Sequence, residues 1–106
     1  MNKGIKYEKK LANSLRKRGF DIVLQPGSGA GIRKGDLIVE NFLFDVKMTT
    51  KNSYSLNSEL LKKISQYAFR QALKPGIYLS IAGEEWVLIR AKDFLELVES
   101  ENKREG

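Results

Sequence analysis

Two short apolar runs, Leu37 to Val39 and Phe42 to Val46, flank the polar pair Glu40-Asn41. Runs of this length joined by two turn-prone residues predict a β-hairpin. Along the second run Phe42, Phe44 and Val46 fall on one face, and Leu43, Asp45 and Lys47 on the other. Asp45 and Lys47 therefore leave adjacent pleats on the same side. Asp36, at the mouth of the first strand, lies within reach of them across the pairing. Two carboxylates and a lysine on one edge of a small sheet suit a hydrolytic metal site. The plainer reading makes Asp36 a turn cap and Asp45 and Lys47 a solvated same-face ion pair, since charges usually sit on solvated faces.

The rest of the chain narrows the chemistry. Its 106 residues suit one domain with a single modest core. It contains neither cysteine nor histidine. Thiolate metal sites, disulfides, Ser-His-Asp and Cys-His chemistry are thereby excluded. Any metal must be held by oxygen ligands, which favours Mg²⁺ or Mn²⁺ over Zn²⁺. No apolar run approaches membrane-span length, and the basic N-terminus has no apolar segment of the signal-peptide kind. An intracellular protein with no membrane partner is expected. Net charge is +6 and unevenly spread. Residues 1–73 carry fourteen Lys and Arg against six acids, a net of +8, and residues 74–106 carry five against seven, a net of −2. The basic excess travels with the candidate site, as a polyanionic partner would require.

Residues 3 to 18 read as a helix, with Ile5, Glu8, Leu11, Ala12 and Leu15 on the buried stripe and Gly19 as the stop. Glu8 is an acid where the core is expected. It is either a first-turn acid favoured by the helix dipole or a side chain reaching past the stripe towards Asp36 and Asp45. Phe20 to Leu24 predicts a short strand ended by Gln25-Pro26. Residues 27–35 form a glycine-rich loop with Ser28, Arg33 and Lys34, whose spacing fits neither a P-loop nor a dinucleotide-binding turn. It serves as a connector or as a flap that meets a phosphate backbone. Asn57 or Ser58 caps a second helix to about Leu73, its apolar side formed by Leu60, Leu61, Ile64, Ala68 and Ala72, with Pro75-Gly76 as the stop. Ile77 to Ile81 and Trp86 to Ile89 read as strands joined through residues 82–85. Ala91 to Val98 reads as a last helix, and residues 100–106 as a flexible charged tail. No repeat or second domain is visible. The order α-β-β-β-α-β-β-α predicts an α/β fold, a mixed β-sheet flanked by helices.

With these residues placed, the chain resembles the PD-(D/E)xK nuclease superfamily and, within it, the archaeal-type Holliday junction resolvases. The resemblance covers roughly residues 3 to 97. It rests on Lys3-Gly4 and Glu8-Lys9 in the first helix, and on Arg18-Gly19-Phe20. It continues through Gly27-Ser28, Asp36-Leu37-Ile38, Asp45-Val46-Lys47, residues 54–66 and the Trp86 hairpin. It implies a restriction-endonuclease-like core in which Glu8, Asp36 and Asp45 hold a divalent metal, Lys47 assists hydrolysis and Ser28 helps catalysis or positions a phosphate. It also implies a homodimer that recognises four-way DNA junctions by shape and cuts two opposed strands. Gly35 stands where the superfamily pattern has proline, and Asp45 where glutamate is commoner, which shortens that arm by one methylene.

Three function classes follow. The first is a Mg²⁺- or Mn²⁺-dependent endonuclease acting on branched or four-way DNA. The second is another nuclease of the same superfamily, of restriction or repair type. The third is a non-catalytic nucleic-acid-binding domain whose acids only shape the surface. Lys3, Lys6, Lys9, Lys10, Arg33, Lys34, Lys51 and Lys62 are the candidate DNA-backbone contacts. The expected dimer interface draws on Tyr67, Phe69 and the last hairpin, unless Trp86 and the aromatics fill the monomer core.

Overall fold

The computed structural model describes the backbone of residues 3–25 and 36–105, and the side chains of residues 7–24 and 37–102. The elements follow the expected order: α1 (Lys3–Lys17), β1 (Ile22–Gln25), β2 (Asp36–Val39), β3 (Phe42–Thr49), α2 (Ser58–Arg70), β4 (Lys74–Ile81), β5 (Glu84–Ile89) and α3 (Ala91–Glu105). The strands form one sheet in the order β1-β2-β3-β4-β5. Only the β3–β4 pair is parallel, and α2 supplies its crossover. This is a mixed sheet in an α/β fold.

The two faces of the sheet are covered by different helices. Phe42, Phe44 and Val46 of β3 join Leu37, Ile22 and the buried stripe of α1 (Leu11, Ala12 and Leu15) in one core cluster. The Phe44 ring stacks on Phe42 at 5.8 Å between centroids and meets Tyr78 of β4 edge-on at 5.7 Å. On the opposite face lie Leu43 and Ile77, both buried, and there α2 turns in Ile64 and Ala68. Both faces of β3 are therefore shielded, and the strand can hold polar groups away from bulk water.

Local chemistry explains the ends of the elements. Gly19, at φ 95°, closes α1 as Phe20 N–H donates to Leu15 C=O and Gly19 N–H to Arg16 C=O, a Schellman motif. Phe20 thus belongs to the cap and is exposed, and β1 starts two residues later than expected. Asn57 Oδ1 accepts from Leu60 N–H at 2.9 Å and opens α2. The far end of α2 corrects the sequence reading. The helix closes on Ala72, at φ 58°, with Leu73 N–H donating to Ala68 C=O and Ala72 N–H to Phe69 C=O. Pro75-Gly76 is not the stop; both residues lie inside β4.

Proline fits there because pairing is one-sided. Lys74 N–H donates towards β3, to Asn41 C=O, so the nitrogen of Pro75 faces the other way. Pairing with β5 begins only at Gly76, so no ladder bond is lost. Gly76 is required by packing. A Cβ there would lie 2.5 Å from the Phe44 ring, well inside van der Waals contact.

The last hairpin turns on Ala82 and Gly83, both with positive φ, which matches the right-handed twist of the strands. Glu84 and Glu85 belong to β5, not to the turn. The last helix is longer than the expected Ala91 to Val98: α3 runs on to Glu105 through a charged sequence free of Gly and Pro. It is pinned at its start, where Arg90 Nε donates to the buried Asp93 carboxylate at 2.8 Å, and by Lys74–Glu96 at 3.0 Å. No helix among the described residues is long and apolar enough to cross a membrane.

Candidate active site

The β2–β3 hairpin builds the site by counting outward from its turn. Glu40, at φ 55°, and Asn41 make a two-residue connection, held by Asp21 N–H donating to the Glu40 carboxylate at 2.8 Å. The register then runs Val39 opposite Phe42, Ile38 opposite Leu43, Leu37 opposite Phe44 and Asp36 opposite Asp45. Asp36 and Asp45 are thus direct cross-strand partners. A one-residue change in that loop would slip the pairing and move every side chain to the other face.

Asp45 and Lys47, two residues apart, share one side of β3 and meet at 3.3 Å between Oδ2 and Nζ. Their side chains are only 14% and 17% exposed. This is a semi-enclosed pair, which sets aside the reading of a freely solvated surface ion pair. Burial of this degree removes competing water and strengthens the pull of both charges on an incoming group.

Glu8 is the sixth residue of α1, beyond its first turn, and 6% exposed. The reading of a first-turn acid therefore fails. Helix α1 packs on the face of Phe42, Phe44 and Val46, whereas Asp45 and Lys47 project to the other side. A ligand set of Glu8, Asp36 and Asp45 would have to close across the sheet rather than on one face. Among the described residues no three carboxylates are gathered in metal-holding geometry. The Asp36 side chain lies outside the described residues, as do Ser28, Arg33 and Lys34 in their entirety and the Lys3 and Lys6 side chains. The remaining cations, Lys9 and Lys10 on α1, Lys51 after β3 and Lys62 on α2, are all exposed.

One polar cluster escaped the sequence reading. Tyr7 of α1 donates its hydroxyl to Glu85 Oε2 of β5 at 2.7 Å, and Tyr78 of β4 reaches Glu85 Oε1 at 3.5 Å. Burial first, then the Glu85 hydrogen bond, push the Tyr7 hydroxyl well above the usual tyrosine value. Burial and the charge of Glu85 raise Tyr78 in the same direction. Both hydroxyls therefore stay protonated and remain donors. Tyr7 and Glu85 are 78 residues apart in sequence, and no periodicity links them.

The fold has a counterpart among solved structures. The structure of Archaeoglobus fulgidus Hjc, a Holliday junction resolvase from an archaeal hyperthermophile, matches it with a TM-score of 0.60, over 79% of this chain and 73% of that one, at 15% identity. At that identity the likeness is one of fold. In sequence, the crossover junction endodeoxyribonuclease Hjc of Methanocaldococcus jannaschii is 28% identical over 86 residues, 77% of this chain. The match spans 62% of that relative's length. The sequence model of the archaeal Holliday junction resolvase (Hjc) family matches residues 1–104, and the chain belongs to that family.

Proposed function

We propose that the protein is a divalent-metal-dependent endonuclease that resolves four-way DNA junctions by paired incisions. The observation that carries this reading is the hairpin register. In a chain of this family, it sets Asp36 opposite Asp45 and seats Lys47 at 3.3 Å from the Asp45 carboxylate.

The donor set suits a hard cation. Asp36, Asp45 and Glu8 offer only carboxylate oxygens, and the chain contains no histidine or cysteine to compete. Mg²⁺ or Mn²⁺ is the ion such oxygens select. When bound, the ion acidifies water, orients the scissile phosphate and neutralises developing charge. Asp45 would ligate from its sheltered place on β3, and Asp36 from the facing strand. Glu8, buried on α1, would have to join the set from the other face of the sheet. Lys47 presents ammonium donors beside Asp45, where they orient the attacking water or stabilise the charge of the pentavalent transition state. Ser28 would position the phosphate from the glycine-rich segment. Lys3, Lys6, Lys9, Lys10, Arg33, Lys34, Lys51 and Lys62 would bind the DNA backbone without reading sequence.

Paired incision calls for two sites, and a two-fold homodimer supplies them in the symmetry of the substrate. The apolar groups such an interface needs are on the surface. Phe69 is 84% exposed and Trp86 59% exposed, and Phe94, Leu95 and Leu97 of α3 are exposed with them. Trp86 therefore does not fill the monomer core, whereas Ile77, expected at the interface, does.

The test is cleavage of a four-way junction against a matched linear duplex, with Mg²⁺ and with chelator. Metal-dependent, symmetric incision of the junction alone is expected. Equal cutting of the duplex would move the protein to the restriction or repair type, and junction binding without cutting would make it a binding module.

A further inference from the structure

Sheet edges carry unpaired N–H and C=O groups that recruit other strands, and the two edges of this sheet differ. The β1 edge is four residues long, and the Arg16 guanidinium donates to its Ile22 carbonyl at 3.4 Å. The β5 edge is six residues long, with no proline, no lysine and no bulge against β4. Helix α3, which follows it, is drawn back towards the start of β4, where Glu96 meets Lys74 at 3.0 Å. Among the described residues, neither a strand nor a backbone hydrogen bond reaches the outer side of β5. Trp86, Val87 and Leu88 stand exposed along it.

The ladder decides which groups face outward. Lys74 and Ala82 N–H both donate to β3, so even-numbered residues of β4 bond that strand and odd-numbered ones bond β5. Glu84, Trp86 and Leu88, opposite Ile81, Leu79 and Ile77, therefore direct their backbone groups at β4. Glu85, Val87 and Ile89 present theirs to the open side. A second copy running antiparallel, with Val87 facing Val87 across a two-fold axis, matches these groups pair for pair. Glu85 then faces the partner's Ile89, Trp86 packs against the partner's Leu88, and Glu84 meets the partner's Arg90. The Arg90 side chain is 43% exposed and has guanidinium donors beyond the Nε that holds Asp93. A slip of one residue would set outward groups against inward ones. A slip of two towards the turn would put the Glu84 carboxylate on the partner's Leu88. The edge is thus complementary to itself in charge as well as in apolar contact.

We propose that β5 pairs edge to edge with β5 of a second copy, in the register Val87 to Val87, doubling the five-stranded sheet. The proposal rests on the homodimer reading and supplies its geometry. A two-fold axis normal to the sheet keeps equivalent faces together. Asp45 and Lys47 share their face with Ile77 and Leu79, so both copies present the pair on one side. Five strand spacings separate the two pairs, roughly 24 Å across the sheet. Two sites that meet one substrate from one side are what paired incision needs. The pairing also joins Trp86 and Leu88 of both copies in one apolar strip, where a lone copy leaves them to water.

The test exploits a chain without cysteine. Across a hydrogen-bonded antiparallel pair the Cα atoms lie about 5.5 Å apart, within disulfide reach. Val87→Cys should therefore give a covalent dimer when oxidised with copper phenanthroline. Glu84→Cys should not, because the two copies of that residue lie roughly 20 Å apart along the ladder. Val87→Pro removes only an outward N–H, which an edge strand tolerates. It should keep the parent's circular dichroism yet sediment as a monomer where the parent is a dimer. A dimeric parent with no cross-link at position 87 would overturn the pairing and leave the homodimer standing. A dimeric Val87→Pro would do the same. Equal cross-linking at positions 84 and 87 would overturn the register. A monomeric parent would remove the homodimer reading and the pairing together, and leave the edge to a strand of another chain.

Discussion

The β2–β3 and β4–β5 hairpins share a design, two antiparallel strands turning on two residues, yet they depart from ordinary burial in opposite ways. The first is covered on both faces by α1 and α2, and there it keeps an aspartate and a lysine out of most solvent. The second leaves its outer strand open, and there it shows water a tryptophan, a valine and a leucine. Charge in a sheltered place and apolar surface in an open one are both costly for an isolated monomer. The difference divides the roles under the proposed function: the covered hairpin would carry the chemistry, and the open one the contact with a second copy.

The sharpest way to break this contrast is to neutralise the covered hairpin. Asp45→Asn, Asp36→Asn and Lys47→Ala should each lower single-turnover junction cleavage by at least about a hundredfold, the scale of losing a principal catalytic group. Junction binding in gel-shift titrations should largely survive, because surface cations supply most of the affinity. Full cleavage by Lys47→Ala would return Asp45 and Lys47 to the role of a plain structural pair.

The next largest effect belongs to the open hairpin. Trp86→Lys should weaken self-association by about 2 kcal/mol or more, as expected of an aromatic anchor, and sedimentation should show monomers at micromolar concentration. Unchanged sedimentation would move the interface to Phe69 on α2. A monomer that still makes paired cuts would remove the need for an interface at all.

The two hairpins also differ in how much of them could be read from the sequence. The first was legible because every signal is local. The turn pair, the alternation of Phe42, Phe44 and Val46, and the Asp45–Lys47 spacing all lie within a dozen residues. The burial of Glu8 was visible too, since the stripe of α1 passes through it. Pro75-Gly76 misled because a Pro-Gly pair is a common helix stop. What admits it to β4 is tertiary: an unpaired ladder position at Pro75 and the Phe44 ring lying over Gly76. The length of α3 was missed because a charged stretch with no apolar stripe reads as a tail. Exposure of Trp86 depends on which helix covers β5, and strand periodicity carries no information about that. The Tyr7–Glu85 bond joins the two ends of the chain and leaves no trace in either segment.

The smallest expected effect is the most discriminating. If the Asp45–Lys47 pair is kept for chemistry, the fold should not depend on it. An ion pair this sheltered gains Coulomb energy and loses hydration in comparable amounts, so replacing both partners together should be close to neutral. The double variant Asp45→Asn/Lys47→Met keeps side-chain volume and leaves no unpaired charge behind. Its unfolding free energy in urea should lie within about 1 kcal/mol of the parent, with an unchanged slope against denaturant. Lys47→Met alone should be the less stable of the two, because it strands the Asp45 carboxylate without its partner. A loss of several kcal/mol in the double variant would show that the covered hairpin uses its charges to hold the sheet together. The contrast with the open hairpin would then concern stability rather than function.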